Sequence, residues 1–155
     1  MAGRVEAIRI SPSAGAPMRA VELVAGHAGG GLDGDRYQLG TGEYSDRPAP
    51  GRGLTLVAAE SLERANREHP GLDVSPGDTR RNITTRGVDL DALIGREFRI
   101  GQLRCAGVRL AEPCRYLEGL IGRPVLVALA HRAGLRAEIL EDGEIAVGDE
   151  VVPAG

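Results

Sequence analysis

Glu97-Phe-Arg-Ile-Gly-Gln-Leu-Arg-Cys-Ala106 is the stretch that decides the fold class. It reads as a strand over Glu97–Ile100, a two-residue loop at Gly101-Gln102, and a returning strand over Leu103–Ala106, which together make a β-hairpin. A second stretch is read the same way. Glu138–Leu140 and Ile145–Val147 flank Asp142-Gly143, and Asp-Gly is a strong signal for a type I′ turn because both central residues need positive φ. Working outward, Val5–Ile10, Ala20–Val24 and Leu54–Val57 carry further short apolar or β-branched runs and are predicted strands. The chain holds 23 glycines, so tight turns join short strands and long helices are not expected.

The one clear helix is predicted over Ala58–Glu68, where Leu62 and Ala65 share a face and His69-Pro70-Gly71 stops it. Asp89–Gly95 is predicted as one or two helical turns, with Asp89 as N-cap and Gly95 as terminator. Val125–Ala130 is apolar without a clear period and leaves helix and strand both open. Gly40–Gly53, with Pro48, Pro50 and its glycines, is irregular and is the expected mobile segment, placed to close over a ligand beside Arg36. No repeat, charge block or linker divides the 155 residues, so residues 1–155 are read as a single domain of β-rich α+β or barrel-like architecture.

Composition narrows the function classes. At 42% hydrophobic and 26% charged, the chain has the make-up of a soluble globular protein, and its 3% aromatic content leaves the core to Val, Leu, Ile and Ala. A net charge of −3 argues against a nucleic-acid binder. All 19 basic residues are Arg, which suits planar capture of phosphate or carboxylate but also follows from codon usage. Two cysteines and an N-terminus without a continuous apolar stretch read as a reduced, cytoplasmic protein with no membrane span.

Cys114 is the foremost candidate for chemistry. Pro113 at a first helical position would set it near the N-terminus of a helix running through Arg115-Tyr-Leu-Glu-Gly-Leu120, where the helix dipole and Arg115 favour a thiolate. Such a sulfur is a nucleophile, a sulfur acceptor or a soft metal ligand, the alternative being a buried cysteine packed as a small hydrophobe. Cys105 sits mid-strand, and there the packing role is expected. Arg80-Arg81 follows the turn Ser75–Asp78 and could clamp a phosphate, with hydrogen bonds from Asn82 and Thr84; a solvated surface pair is the alternative. Arg36 ends the glycine-dense run Gly26–Arg36 and could complete an anion cradle, or lie in a plain surface loop. Ala133-Gly-Leu-Arg136 is a fourth polar interruption of an apolar context. His27, His69 and His131 have no zinc-ligand spacing, and no Gly-x-Ser-x-Gly supports a serine hydrolase.

Taken in order, Gly34-Asp-Arg36, Leu54-Thr-Leu56 with Glu60-Ser-Leu62, Arg80-Arg-Asn-Ile-Thr84, Gly87-Val-Asp-Leu90, Leu93-Ile-Gly95, Phe98-Arg-Ile-Gly101, Glu112-Pro-Cys114, Gly134-Leu-Arg-Ala137 and Gly143–Asp149 resemble the MOSC family, the domain named for the C-terminus of molybdenum cofactor sulfurase. The resemblance runs from Gly31 to Val152. It implies a β-rich fold around a partly barrel-like mixed sheet with a few short helices. It implies that Cys114 ligates the molybdenum of a pterin cofactor (molybdopterin), or carries sulfur. Arg80, Arg81 and Asn82 would hold the pterin or its phosphate, with Thr84, Arg115 and Arg36 as further cofactor-binding candidates. Tyr37 departs from the family, where His is common after Asp-Arg. Two activities follow from the resemblance. One is reduction of N-hydroxylated compounds with electrons from a separate redox protein. The other is sulfur carriage on Cys114 or cofactor delivery, with a sulfur-donor protein as partner.

Overall fold

The computed structural model describes residues 3–47 and 49–154. Its strands are β1 (Gly3–Ile10), β2 (Arg19–Val21), β3 (Leu23–His27), β4 (Gly31–Leu32), β5 (Leu54–Ala58), β6 (Ile83–Arg86), β7 (Glu97–Ile100), β8 (Leu103–Leu110), β9 (Leu135–Ile139), β10 (Gly143–Ala146) and β11 (Glu150–Pro153). Strands β1, β11, β7, β8, β9, β5 and β6 pair in that cyclic order, and the β1–β11 ladder closes a seven-stranded barrel. Among the ring's ladders in the described residues β5–β6 alone is parallel, so the barrel is mixed. Strand β2 extends β1 outside the ring, and β10, β3 and β4 form a small separate sheet. Full closure leaves no unpaired edge on the ring, which removes the aggregation hazard of an open sheet.

Alternation builds the interior. Leu103, Cys105 and Gly107 of β8, Leu135, Ala137 and Ile139 of β9, and Phe98 and Ile100 of β7 are buried, with polar residues between most of them. Strand β5 instead reads as a continuous apolar run because both of its faces are covered. Leu54 and Leu56 join the barrel core, while Val57 joins a second cluster outside the barrel with Leu62, Ala65, Leu72, Val125, Leu129 and Ala133. That outer cluster seats helix α2 (Ala59–Glu68) and the short helix α4 (Val125–Ala128). Asn66 of α2 ties the following segment down, donating to Val74 O at 2.9 Å and accepting from Val74 N–H at 3.0 Å. Asn66→Ala is expected to cost about 1–2 kcal/mol by orphaning both groups of the buried Val74, read as a shift in the denaturant midpoint without a change in slope.

The predicted hairpin is present: Ile100 pairs Leu103 across Gly101-Gln102, and Gly101 takes φ +56. The second predicted hairpin is not. Strand β10 pairs β3 rather than β9, neither Asp142 nor Gly143 has positive φ, and the Asp142 carboxylate accepts from Ala28 N–H at 2.7 Å. Asp142 therefore anchors the crossing from barrel to small sheet instead of turning a hairpin. The predicted strand Ala20–Val24 likewise divides between β2 in the large sheet and β3 in the small one. Asp89 does not cap a helix; a 3-10 turn runs over Asp91–Leu93 after Leu90 without a side-chain cap, while Gly95 does follow it with φ +74. The apolar Val125–Ala130 segment, which left helix and strand open, starts as helix α4. No helix among the described residues is long and apolar enough to cross a membrane.

Candidate functional site

The site lies on the outer face of the barrel. After β8 the chain runs extended through Glu112-Pro113, and helix α3 spans Arg115–Ile121. Cys114 is its N-cap (φ −131, ψ 168), and Pro113 precedes the cap rather than occupying the first helical position. The Cys114 sulfur accepts from Leu117 N–H at 3.5 Å and from the Tyr44 hydroxyl at 3.3 Å. Burial contrasts the two cysteines. Cys114 is half-buried, whereas Cys105 is wholly enclosed in the barrel, where burial pushes its thiol up to about 12 and keeps it neutral.

Arg81 holds the approach to Cys114. Its Nε donates to Ala133 O at 2.9 Å, and its Nη2 donates to Ala111 O at 2.7 Å and Glu112 O at 3.4 Å. The side chain thus staples the segment before Cys114 to the segment before β9. Burial, and then the neighbouring Arg136 charge, bring this guanidinium down to about 10. Arg80, held in a left-handed conformation (φ 60), donates to Ala16 O at 2.6 Å and Ser13 O at 3.4 Å. Arg36 opens the short helix α1 (Arg36–Leu39) and donates to Asp35 Oδ1 and Arg80 O, each at 3.0 Å. Asp35 is fully buried, caps α1, and also accepts from Ser11 N–H at 3.0 Å.

Cys114, Tyr44, Arg36, Arg80, Arg81 and Arg136, among others, line a cavity of about 40 Å³. That is well below the roughly 300–1,000 Å³ of typical small-molecule sites. The remaining candidates lie elsewhere. Asn82 accepts from Thr55 N–H and Oγ1 and donates to Arg9 O, and Thr84 accepts from Arg9 Nη1; both are buried joints between strands. Arg115 is exposed on α3. The glycine-dense loop is not a free anion cradle, because Ala28, Gly29, Gly30 and Gly34 all donate their N–H groups to protein acceptors. Two of its glycines serve close packing: a Cβ on Gly31 would sit 2.7 Å from Gly53 O, and one on Gly26 would sit 2.9 Å from Leu103 Cδ1.

Tyr44 and Arg136 are the site residues that the sequence reading did not single out by role. Tyr44 comes from the irregular Gly40–Gly53 stretch, of which Glu43 and Tyr44 line the cavity; Thr41 Oγ1 donates to Pro12 O at 2.6 Å, and Arg52 lies 5.0 Å over the Tyr44 ring. Pro48 of that stretch lies outside the described residues. A second cavity of about 180 Å³ shares Tyr44 as a wall, but Cys114 does not line it. The hydrogen bond to Cys114, and then burial, push the Tyr44 phenol up from 10.0 to about 12. Only the protonated phenol can donate to sulfur, so Cys114→Ala is expected to return one tyrosine toward its ordinary titration, seen by tyrosinate absorbance.

Glu112 is spent on the turn before β9, accepting from His131 N–H at 2.6 Å and pairing with its Nδ1 at 2.7 Å. Among the described residues no group of three or more His, Cys, Asp or Glu side chains is arranged to hold a metal ion. The arrangement therefore offers one soft sulfur donor in an arginine-walled cavity, which suits a metal that arrives already coordinated within an anionic organic ligand.

Comparison with known proteins agrees with this fold. The family model described as "MOSC domain" matches residues 27–152. The fold is similar to the YuaD protein of Bacillus subtilis (TM-score 0.78, 16% identity, covering 97% of this chain and 94% of that one). It is also similar to YiiM of Geobacillus stearothermophilus (TM-score 0.75, 15% identity, 99% and 75% covered). YiiM of Escherichia coli is a further structural relative (TM-score 0.71, 18% identity, 98% and 70% covered). No curated protein matches the sequence.

Proposed function

We propose, since the chain belongs to the MOSC domain family, that it binds the molybdenum cofactor at the Cys114 cavity and reduces N-hydroxylated compounds there with electrons from a separate redox protein. The observation that carries this reading is the half-buried Cys114 sulfur, presented at the head of α3 inside a cavity walled by arginines. The residues fit the group on chemical grounds. A thiolate is a soft donor suited to molybdenum, and guanidinium groups suit the phosphate and polar edge of a pterin. When bound, the cofactor supplies a two-electron redox centre.

The chain's own residues then have distinct tasks. Cys114 would hold the metal through its sulfur. Leu117 N–H and the Tyr44 hydroxyl both point at its sulfur and fix its direction. Arg81 holds the Ala111–Glu112 and Ala133 segments at a fixed separation, so the sulfur does not drift relative to β9. Tyr44 lies against the sulfur and would shield that side of it from water. The two cysteines of these residues offer no thiolate set for an iron–sulfur cluster and there is no dinucleotide fingerprint among them, which supports electron delivery by a separate redox protein.

The test is the molybdenum and pterin content per chain, on protein purified from a host that makes the cofactor. Near-stoichiometric amounts of both, followed by reduction of hydroxylamines or amidoximes with a surrogate electron donor, support the reading. Folded protein that carries neither, with a persulfide on Cys114, replaces it with sulfur carriage.

A further inference from the structure

The arginines around the cavity divide into two kinds. Arg36, Arg80 and Arg81 spend their donors on Asp35 and on main-chain carbonyls, so they are parts of the frame. Arg136 differs. It lines the same cavity from β9, it is half-buried, and among the described residues no carboxylate or carbonyl accepts a hydrogen bond from it. Its direct cross-strand partner on β8 is Arg109, a second arginine. Like charges directly opposite each other across a sheet are destabilising, and burial of one of them adds to the cost. Arg52, which lies over the Tyr44 ring, is a third cation beside them; burial, and then the charges of Arg109 and Arg52, weaken the proton affinity of Arg136. Two carboxylates also line the cavity. Glu112 is committed to His131, and Glu43 is exposed on the rim.

A chain with net charge −3 therefore gathers unneutralised positive charge at one place. The remedy for such a group is an anion that supplies the missing acceptors. Two or three guanidinium groups call for a dianion, and their planar forks match the oxygens of a phosphate.

We infer that Arg136, backed by Arg109, is the anion anchor of the Cys114 cavity and takes a phosphate group. The inference shares its cavity with the cofactor reading above and deepens it by moving the anion contact from Arg80-Arg81 to β9, but it rests on the arginines alone. The phosphate belongs either to the pterin itself or to a separate phosphorylated ligand.

The probe is inorganic phosphate, titrated into metal-free protein at constant ionic strength and followed by calorimetry and thermal melting, with acetate as the monoanion control. Phosphate is expected to bind and raise the melting temperature more than acetate does. Arg136→Gln is expected to weaken phosphate binding about tenfold or more, Arg109→Gln by less, and the exposed Arg96→Gln not at all. In the absence of phosphate, Arg136→Gln is expected to melt no lower than the parent, since the cross-strand repulsion is gone. Failure of the parent to bind phosphate, or equal binding by parent and both cavity variants, overturns the inference. Because Arg109 is exposed, Arg109→Gln decides the matter even if Arg136→Gln fails to fold. The same titration in Cys114→Ala separates the two readings: phosphate binding kept while molybdenum is lost leaves this inference standing on its own. Phosphate affinity that disappears once pterin is loaded assigns the site to the cofactor's phosphate; affinity that persists assigns it to a separate ligand.

Discussion

Cys114→Ala is expected to purify without molybdenum from a host in which the parent chain carries it, and to lose all reduction of N-hydroxylated substrates. The expectation follows from counting donors. Under the proposed reading the Cys114 sulfur would carry the protein's share of the coordination, and among the described residues no cluster of three or more potential metal-ligating side chains stands ready to replace it. The other cysteine cannot substitute, because Cys105 is completely buried in the barrel and its thiol is held neutral by that burial. Cys105→Ala should accordingly keep its metal. The loss in Cys114→Ala is separable from unfolding. The sulfur caps α3 through one long contact to Leu117 N–H, and removing a weak cap of this kind costs about 0.5–1 kcal/mol. For a chain of this size that is a fall in melting temperature of about 1–4 °C. Metal analysis beside a melting curve reads both quantities. Full molybdenum occupancy in folded Cys114→Ala would remove Cys114 from the site.

Local signals in the sequence were good where the structure they encode is local. The 97–106 hairpin and the helix over Ala59–Glu68 both form, since alternation, a two-residue loop and a Pro-Gly stop act within a few residues. Asp142-Gly143 misled for the opposite reason. Its turn signal competes with a bond from Ala28 N–H and with the pairing of β10 to β3, which lies more than a hundred residues earlier in the chain. The site shows the same division. Glu112-Pro-Cys114 is legible as a motif, and the structure places that sulfur at a helix head in a cavity. Arg80 and Arg81 were legible as a pair, but their partners are main-chain carbonyls, which any residue can present and no sequence pattern announces. Tyr44 reaches Cys114 from 70 positions away, and Arg136 enters the cavity through the register of β9. Both contacts exist only once the barrel has closed.

Arg81→Met is expected to destabilise the protein by about 3 kcal/mol, a fall in melting temperature of about 6–12 °C. Methionine replaces the stem of the side chain but supplies no donor. The carbonyls of Ala111 and Ala133, both in residues under 2% exposed, then lose bonds of 2.7 and 2.9 Å, and leaving a buried carbonyl unpaired costs about 1–3 kcal/mol each. Part of that is returned, because a buried cation repelled by Arg136 and Arg36 is removed with the guanidinium. Arg81→Lys should fall between parent and Met, since a single ammonium cannot reach two carbonyls from two segments with the same fork. Chemical denaturation of the metal-free protein discriminates between the two roles open to Arg81. A residue whose only task were to grip a phosphate would be replaced by Met with no loss of stability, or with a gain from relieving a buried charge. A frame residue would lose stability without any ligand present. The denaturation midpoints of Arg81→Met and Arg136→Gln should therefore move apart: the first falls because its acceptors are inside the protein, and the second holds because the acceptor Arg136 awaits comes from outside.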